Sequence, residues 1–479
     1  MAGSGLCNAV ASPGDELAPV LQPSPGDGPD PAWLRERLSH CIWRDDEVAG
    51  RVVDVRIKQR RQSGKGTTAL CGVNLSGSDG RPVEQLYLLH QIPAALWSDE
   101  ARSVVAEAMI VPALGRAVTL IPEANVLLVA FPNDRQMRLV TEESLRTWLR
   151  RRATTFANQG RRGPRWQLKE STCEILRYAP GQCLTMRFAG CLVARDGRER
   201  PFGFIAKQFR KAKWAKALHQ NLVALDKHMS RGGTVRVPRP VALDEEIGLV
   251  VMEEIPGTDL KRALADVDLL KTMHGAGAIL ASFHQVPRRV SESVTVLKEL
   301  EEVRDSAERI ERFFPTAIPR LATCLSHCLA AQWSDDVPTV LLHGAYRPKH
   351  VWVHEGGLAL IDVDGIRMGH PAYDIGHFLS ALCYLEAQEH LSAGDRRASA
   401  RRFIDGYSAH APWRLRPAAV LWFFAALLVH KQARKYVMHL HDDRDEGVDR
   451  VLRLAERALA ACEELRSGAS LESIWDVLD

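Results

Sequence analysis

Two patterns of hydrophobic and polar residues divide the chain. From Arg51 to Ile92, and again from Ser171 to Phe209, apolar and polar residues alternate in short runs separated by glycine-containing turns. Such alternation predicts antiparallel strands with one buried face. From Leu269 onward, apolar residues recur every three or four positions, which predicts a series of amphipathic helices. The pattern therefore predicts an α+β protein in which β-rich parts precede a helical part.

One stretch inside the helical part has the pattern of a β-hairpin. The apolar runs Val351–Val353 and Leu358–Ile361 flank Gly356–Gly357, a pair typical of a tight turn. A loop with several basic side chains precedes the hairpin, and the carboxylates of Asp362 and Asp364 directly follow it. Basic groups contact phosphate oxygens, and carboxylates bind divalent cations. The end of the hairpin is therefore a candidate phosphate and metal site.

This stretch resembles the catalytic segment of the aminoglycoside phosphotransferase and choline kinase-like family, which has the protein-kinase-like fold. The family pattern H-G-D-x-x-P-x-N corresponds here to HGAYRPKH, which begins at His343, and I-D-F-D/E corresponds to IDVDG, which ends at Gly365. The later sequence GHPAYDIGHFL is similar to the family's G-D-P-x-x-D-L-A. Two positions depart from the pattern. Ala345 replaces the catalytic Asp and His350 replaces the metal-ligating Asn, so the catalytic loop is degenerate.

The resemblance implies a metal site at the end of the hairpin. It makes Asp362 the Mg²⁺ ligand, with Asp364 and His350 as further candidate ligands. Because Mg²⁺ prefers oxygen, an imidazole at position 350 weakens the site for Mg²⁺ or shifts its preference toward Mn²⁺. An ordinary turn at the end of a strand is the alternative interpretation of Asp362.

The resemblance also implies a catalytic set in the loop. Arg347 would face the transferred phosphate, and His343 and Asp374 would hold the loop in place. Ala345 cannot accept the proton of an attacking hydroxyl, a step worth about 10²–10⁴-fold in rate. Phosphoryl transfer depends mainly on positioning and charge cancellation. We therefore expect a nucleotide site with weakened chemistry.

For nucleotide binding, the resemblance points to the β-rich part. Lys207, on the third strand, would contact the nucleotide phosphates, and Met252, Glu253 and Ile255 would line the adenine slot at the hinge between the lobes. The helix predicted at Trp214–Met229 contains no Glu to pair with the strand lysine, which puts this clamp in question. A surface lysine on an edge strand and an ordinary hairpin are the alternatives.

An internal repeat is suggested by residues that recur 117 positions apart. The first set, Arg60, Gly64, Asp79, Gly80, Arg81 and Trp97, corresponds to Arg177, Gly181, Asp196, Gly197, Arg198 and Trp214. We interpret the first segment as a second copy of the β-rich lobe, the alternative being a chance coincidence of turn motifs. His90 takes the place of Lys207 in that copy, so we expect no nucleotide clamp there.

Composition limits the function classes. The formal net charge of +4 over 479 residues does not indicate a nucleic-acid partner. Ten cysteines without paired C-x-x-C motifs favour a reducing, cytoplasmic setting. The longest apolar run, Ala418–Val429, is shorter than the roughly 20 residues that span a membrane. We expect neither a membrane contact nor a signal peptide.

These observations predict a domain order. Residues 1–32 form a disordered tail, 33–150 an extra α+β domain, 151–168 a basic linker, 169–257 the β-rich lobe, and 258–479 the helical lobe. We expect a phosphotransferase that binds Mg-ATP or Mg-GTP and weakly phosphorylates a small-molecule hydroxyl. The alternatives are a nucleotide-binding pseudokinase and a protein that docks a partner through its N-terminal domain.

Overall fold

The structure is a computed structural model that describes the larger part of the chain. It describes residues 30–44, 50–63, 66–77, 80–105, 110–134, 137–138, 147–148, 151, 154, 158, 166–230, 235–330, 337–438, 444–464 and 474. The predicted tail up to residue 29 and most of the predicted basic linker lie outside these residues. The described chain divides into two compact units, with the main boundary after Leu128.

The first unit is built on a five-stranded sheet. Helix α1 (Pro31–Cys41) precedes it, and helix α2 (Ala94–Val105) follows its third strand. The strands are β1 (Arg51–Ser63), β2 (Gly66–Ser76), β3 (Pro82–Gln91), β4 (Val118–Ile121) and β5 (Val126–Ala130), in the order β1-β2-β3-β5-β4. Apolar side chains at alternating positions of β2 and β3, such as Val73, Leu75 and Leu89, are fully buried.

The second unit begins with a small hairpin and a second five-stranded sheet. The hairpin is β6 (Asn133–Asp134) with β7 (Met137–Arg138). The sheet contains β8 (Trp166–Ala179), β9 (Cys183–Ala194), β10 (Glu199–Phe209), β11 (Pro240–Asp244) and β12 (Leu249–Glu253), in the order β8-β9-β10-β12-β11. Helix α3 (Ala212–Leu225) lies between β10 and β11 and continues into a π-helical turn.

The two sheets share one topology and one register. In each, three consecutive strands are followed by a helix, and the last strand pairs with the third. Cys71 pairs with Tyr87 in the first sheet, and the positions 117 residues later, Phe188 and Phe204, pair in the second. A shift of one residue would turn every side chain to the opposite face. The agreement therefore supports a duplicated lobe.

Helices and short strands make up the rest of the second unit. The first helices are α4 (Leu260–Ala263), α5 (Leu269–His284), α6 (Val296–Phe313) and α7 (Ile318–Ala330). The later ones are α8 (Ala372–Ala387), α9 (Ala393–His410), α10 (Pro417–Leu427), α11 (Arg434–Met438) and α12 (Arg444–Glu464). The short strands are β13 (Thr258–Asp259), β14 (Val340–Leu342), β15 (Val351–His354), β16 (Gly357–Leu360) and β17 (Arg367–Gly369).

Helix α10 forms the centre of this part. All of its side chains are buried, including Trp422, Phe423 and Phe424. The apolar run from Ala418 to Val429 is thus a buried core helix, as its length indicates. A π-helical segment, Leu428–Ala433, separates α10 from α11. Within the described chain, no helix is both long and apolar enough to cross a membrane.

The predicted fold class is confirmed. The molecule is a mixed α+β protein with antiparallel sheets, and the second unit places a β-rich lobe before a helical lobe. The predicted catalytic hairpin is present as β15 and β16, with Val351 opposite Leu360 and His354 opposite Gly357. The first unit, which precedes both lobes in the chain, has the predicted α+β architecture.

Candidate active site

A tight backbone arrangement positions the loop that precedes the hairpin. Strand β14 leads into the loop and pairs with β17, which follows the hairpin. The loop begins with Gly344 at a φ of 77°, a left-handed conformation that favours glycine. A Cβ atom there would lie 2.2 Å from the carbonyl oxygen of Gly365. Position 344 therefore requires glycine both for its conformation and for the close approach of two backbone segments.

A buried carboxylate on α8 anchors this loop. Asp374 Oδ2 accepts a hydrogen bond from His343 N at 2.6 Å, and its Oδ1 accepts one from Gly344 N at 2.9 Å. His284 Nε2 lies 3.2 Å from Oδ2, and the other ring nitrogen of His284 lies 2.9 Å from the Tyr407 hydroxyl. Asp374 is completely buried. The loop is thus held by a network from three helices, α5, α8 and α9, with the role for Asp374 that the sequence indicates.

Removing this carboxylate is expected to destabilise the second unit. In Asp374→Ala, two buried backbone N–H groups lose their acceptor, and each unpaired group costs about 1–3 kcal/mol. We therefore expect a loss of roughly 2–5 kcal/mol in the free energy of unfolding, measured by urea denaturation. The control Asp405→Ala removes an exposed carboxylate paired with Arg402 and should change stability by less than about 0.5 kcal/mol. Equal effects of the two variants would contradict the anchoring role.

Lys207 and two aspartates meet at the end of the hairpin. The Lys207 ammonium on β10 lies 2.6 Å from Asp362 Oδ1 and 2.8 Å from Asp364 Oδ1. The exposed fractions of the three side chains are 12%, 28% and 30%, respectively. Lys207 and Asp362 are 155 positions apart in the chain, and their contact joins the β-rich lobe to the hairpin. The structure brings together the predicted phosphate-contacting lysine and two of the predicted metal ligands.

The backbone at Asp362 contributes to this arrangement. Its φ of 61° places it in the left-handed region, where residues other than glycine are uncommon. Aspartate tolerates that region better than most residues, and such conformations cluster at functional sites. The turn directs the chain from β16 into the short 3-10 segment Val363–Gly365, which carries Asp364. The two carboxylates therefore reach the same ammonium group.

Charge interactions set the protonation states of this cluster. Burial opposes charge on all three groups, but the charges of Asp364 and Asp362 raise the pKa of Lys207 above its usual value. Burial is the largest single effect on Asp362 and would raise its pKa, but the charge of Lys207, the hydrogen bond that Lys207 donates and the neighbouring groups together hold the pKa of that carboxyl well below its usual range. Burial raises the pKa of Asp364. At neutral pH, Lys207 is thus a cation between two acidic groups.

The predicted helix partner of Lys207 is absent from its contacts. In place of the missing Glu, helix α3 carries Gln220, and Asp226 directly follows the helix. In the described part of the chain, Lys207 donates hydrogen bonds only to Asp362 and Asp364. The charged partners of Lys207 therefore come from the end of the hairpin and not from the helix.

His350 and Arg347 continue the cluster on the loop side. His350 Nε2 lies 3.1 Å from Asp362 Oδ2 and 3.2 Å from Arg347 Nε. Burial and the Arg347 charge lower the pKa of His350 well below its usual value, so the ring is neutral. A neutral Nε2 can donate to Asp362 or accept from Arg347, but it cannot do both. The His350 Nδ1 atom is buried, and no described residue is its hydrogen-bond partner.

The donor set can be compared with what Mg²⁺ requires. Among the described residues, no group of three or more His, Cys, Asp or Glu side chains is arranged to hold a metal ion. Mg²⁺ is commonly bound by one or two carboxylates, with substrate phosphates and water as the other ligands. Asp362 and Asp364 fit that requirement, because one Lys207 charge leaves their combined charge unbalanced. The ligand role of His350 stays a prediction, because its Nε2 already faces two neighbours.

The remaining predicted residues occupy defined places. Ala345 is half-buried in the loop, between Gly344 and the fully buried Tyr346. At the predicted hinge, Met252 and Ile255 are buried, and the Ile255 carbonyl accepts a hydrogen bond from Trp352 Nε1 at 2.9 Å. Glu253 instead pairs with Arg236 and Arg239.

Some contributors to the site were missed by sequence reasoning. Tyr346 donates its hydroxyl to the Ala276 carbonyl at 2.7 Å, and His284 reaches Asp374 from α5. The sequence ILASFHQV on α5 resembles a family helix, which is the one signal that could have indicated His284. No local pattern indicates the backbone acceptor of Tyr346, since the two residues are 70 positions apart.

The comparisons with known proteins agree with this geometry. Residues 192–415, just under half of the chain, match the family model APH, described as the phosphotransferase enzyme family. This match confirms, for that segment, the predicted resemblance to the aminoglycoside phosphotransferase and choline kinase-like family. It supports kinase-like phosphoryl transfer to a small molecule. No curated protein matches the chain.

Several solved structures are similar to part of the chain. The amicoumacin kinase hAmiN in complex with AMP-PNP, Ca²⁺ and Ami shows 16% identity and a TM-score of 0.43, covering 59% of this chain and 88% of its own. A choline/ethanolamine kinase family protein from Mesorhizobium loti shows 14% identity and a TM-score of 0.38, covering 68% and 97%. Spectinomycin phosphotransferase APH(9)-Ia, in complex with ADP and spectinomycin, shows 11% identity and a TM-score of 0.39, covering 65% and 94%.

Proposed function

We propose that the second unit binds ATP or GTP with Mg²⁺ and transfers the γ-phosphoryl group, at a reduced rate, to the hydroxyl of a small molecule. The observation that supports this most is the contact of Lys207 with Asp362 and Asp364 at 2.6–2.9 Å. A lysine on a strand and two carboxylates after a hairpin are the groups that a triphosphate and its cation require.

Each residue has a distinct part in the proposed reaction. Lys207 exchanges its carboxylate partners for phosphate oxygens and so neutralises part of the triphosphate charge. Asp362 and Asp364, freed from that contact, hold Mg²⁺, which when bound neutralises charge on the phosphates. Arg347 donates hydrogen bonds to the transferred phosphoryl group, because its planar fork matches phosphate oxygens. Met252 and Ile255 provide an apolar surface for the purine ring of the nucleotide.

The loop offers no proton acceptor at position 345. The acceptor hydroxyl must release its proton to solvent, because alanine has no ionisable group. Since the transition state of phosphoryl transfer is largely dissociative, the nucleophile needs little activation before attack. Turnover that is slow but measurable is therefore the expected behaviour.

The second candidate function is a nucleotide-binding pseudokinase, which Ala345 favours. Thermal melting with and without nucleotide tests what the two functions share. MgATP or MgGTP at about 100 times the Kd should stabilise the chain by about 2.7 kcal/mol and raise the melting temperature. ATP consumption with hydroxylated acceptors then separates the two: turnover selects the phosphotransferase, and binding without turnover selects the pseudokinase. No shift with either nucleotide would contradict both.

A further inference from the structure

A group of basic side chains lies in the loop that precedes the hairpin and on elements around it, of which helix α4 contacts the loop directly. We call it the basic cluster, and its five members come from four separate segments: Arg177, Lys261, the loop pair Arg347 and Lys349, and Lys435. Their charges act on one another, since Arg347, Lys261 and Lys349 all affect Lys435, and Arg177 affects Arg347 and Lys349. None of the five forms an ion pair with a carboxylate within the described ranges.

Lys435 is the most confined member of the basic cluster. Its ammonium donates to Gln432 Oε1 at 2.9 Å and lies 4.7 Å from the centroid of the Tyr384 ring. Burial, followed by the charges of Arg347 and Lys431, lowers the pKa of Lys435 to about 7. Folding therefore holds this amine among other cations without a counter-charge. Such an arrangement is costly unless a ligand supplies the negative charge.

The helix α8 carries a buried histidine, one ring nitrogen of which has no hydrogen-bond partner in the described part of the chain. His377 on α8 is 5% exposed, and its Nδ1 atom has no partner among the described atoms. Burial and the charges of Arg347, Lys431 and Lys435 lower its pKa well below the usual value. The ring is therefore neutral, and helix α8, which carries it, contacts both the loop and the π-helical segment that leads into α11. A polar ligand bound there could satisfy the open nitrogen.

The nearby carboxylates are occupied by other groups. Asp259 accepts a hydrogen bond from Arg262 N at 3.1 Å, and Asp362 is held by Lys207. Glu299 and Glu302, which affect Lys431, lie 2.9 and 3.1 Å from the two ring nitrogens of His430. The described acidic groups around the basic cluster therefore leave it with an excess of positive charge.

We propose that the acceptor of this phosphotransferase is a hydroxyl compound that carries a phosphate or carboxylate group. The basic cluster holds the anionic group, and the hydroxyl lies beside Ala345. This inference rests on the proposed function. Arginine and lysine bind phosphate and carboxylate through charge-assisted hydrogen bonds, and unpaired cations raise the local concentration of anions. The same charges repel a cationic acceptor.

The proposed reaction transfers the γ-phosphoryl group of the nucleotide to the acceptor hydroxyl. The bond between the γ-phosphorus and the bridging oxygen of the β-phosphate breaks, and that oxygen leaves with the nucleoside diphosphate. A bond forms between the acceptor oxygen and the γ-phosphorus, and the hydroxyl proton passes to solvent. The product is a phosphate ester that keeps the original anionic group.

Matched acceptors test this assignment. Glycerol, glycerol 3-phosphate, glycerate and choline all carry a hydroxyl but differ in charge. With MgATP saturating, we expect glycerol 3-phosphate or glycerate to raise the melting temperature further and to promote ATP consumption. Glycerol and choline should do neither. Comparison of the two anions distinguishes a phosphate from a carboxylate preference.

The variant Lys435→Met locates the effect. Loss of one charge-assisted contact should weaken anion binding about 10–100-fold, while the shift with MgATP alone is unchanged. The variant alone should also melt a few degrees higher than wild type, because it removes a confined cation. Lys271→Met, which removes an exposed lysine of α5, should leave both anion binding and melting unchanged.

Three outcomes would overturn the assignment in distinguishable ways. If MgATP shifts the melting temperature but neither anion adds to it, the acceptor class is wrong and the proposed function stands. If Lys435→Met weakens the binding of MgATP as much as the binding of the anions, the basic cluster contacts the nucleotide and not the acceptor. If MgATP itself gives no shift, the proposed function fails, and the acceptor class fails with it.

Discussion

Ala345→Asp is expected to raise the rate of phosphoryl transfer by about 10²–10⁴-fold, the usual contribution of a positioned general base. Position 345 is half-buried and lies in the loop that Asp374 anchors, so the added carboxylate would occupy a fixed backbone position. Arg347, two residues further on, would help to keep it ionised. The measurement is the initial rate of ATP consumption with an acceptor panel, for the variant and the wild type.

Ala345→Asn is the matched control. The amide has almost the shape of the carboxylate but cannot accept the proton, so its rate should stay near that of the wild type. If both variants are equally slow, something other than the missing base limits turnover, and the pseudokinase function is favoured. If the asparagine variant gains as much as the aspartate variant, the gain comes from positioning and not from general-base catalysis.

Lys207→Met is expected to abolish detectable nucleotide binding and to destabilise the second unit. Without the ammonium, Asp362 and Asp364 face each other with no cation between them. Removing one partner of a buried ion pair costs about 3–5 kcal/mol. Because the two carboxylates are 28% and 30% exposed, solvent screening reduces the expected loss to roughly 2–3 kcal/mol. Urea denaturation measures the loss, and calorimetric titration with MgATP measures the binding.

The same variant tests the proposed metal site. With Lys207 gone, the two carboxylates are free for a divalent cation, so MgCl₂ alone should stabilise Lys207→Met more than the wild type, and EDTA should reverse the gain. Lys213→Met, which removes an exposed lysine at the start of α3, should behave like the wild type in all three measurements. Normal MgATP affinity in Lys207→Met would remove the basis of the proposed site.

Much of the site could be predicted because its parts are local. The hairpin follows from two apolar runs around Gly356–Gly357, and the structure contains it as β15 and β16. The carboxylates of Asp362 and Asp364 directly follow the hairpin, so their proximity to each other is set by a few bonds. The same strand register within each of the two sheets could also be expected, because turn residues recur 117 positions apart.

The residues that pair with Lys207 could not be predicted from the sequence. The sequence shows that α3 has no Glu, but it does not show which group replaces it. The answer depends on the left-handed backbone of Asp362 and on how the strand approaches the hairpin. That approach is set by the packing of whole elements, not by the residues of any one of them.

The sequence by itself determined the α+β class, the order of a β-rich and a helical lobe, the hairpin, and the absence of a carboxylate at Ala345, because each depends on residues close together in the chain. The tertiary structure alone decided that His284 and Asp374 share one network, that Lys207 contacts both aspartates, and that Lys435 lies among other cations. Those contacts join residues tens to hundreds of positions apart. They form only when buried helices such as α10 are packed, which is a property of the folded core as a whole.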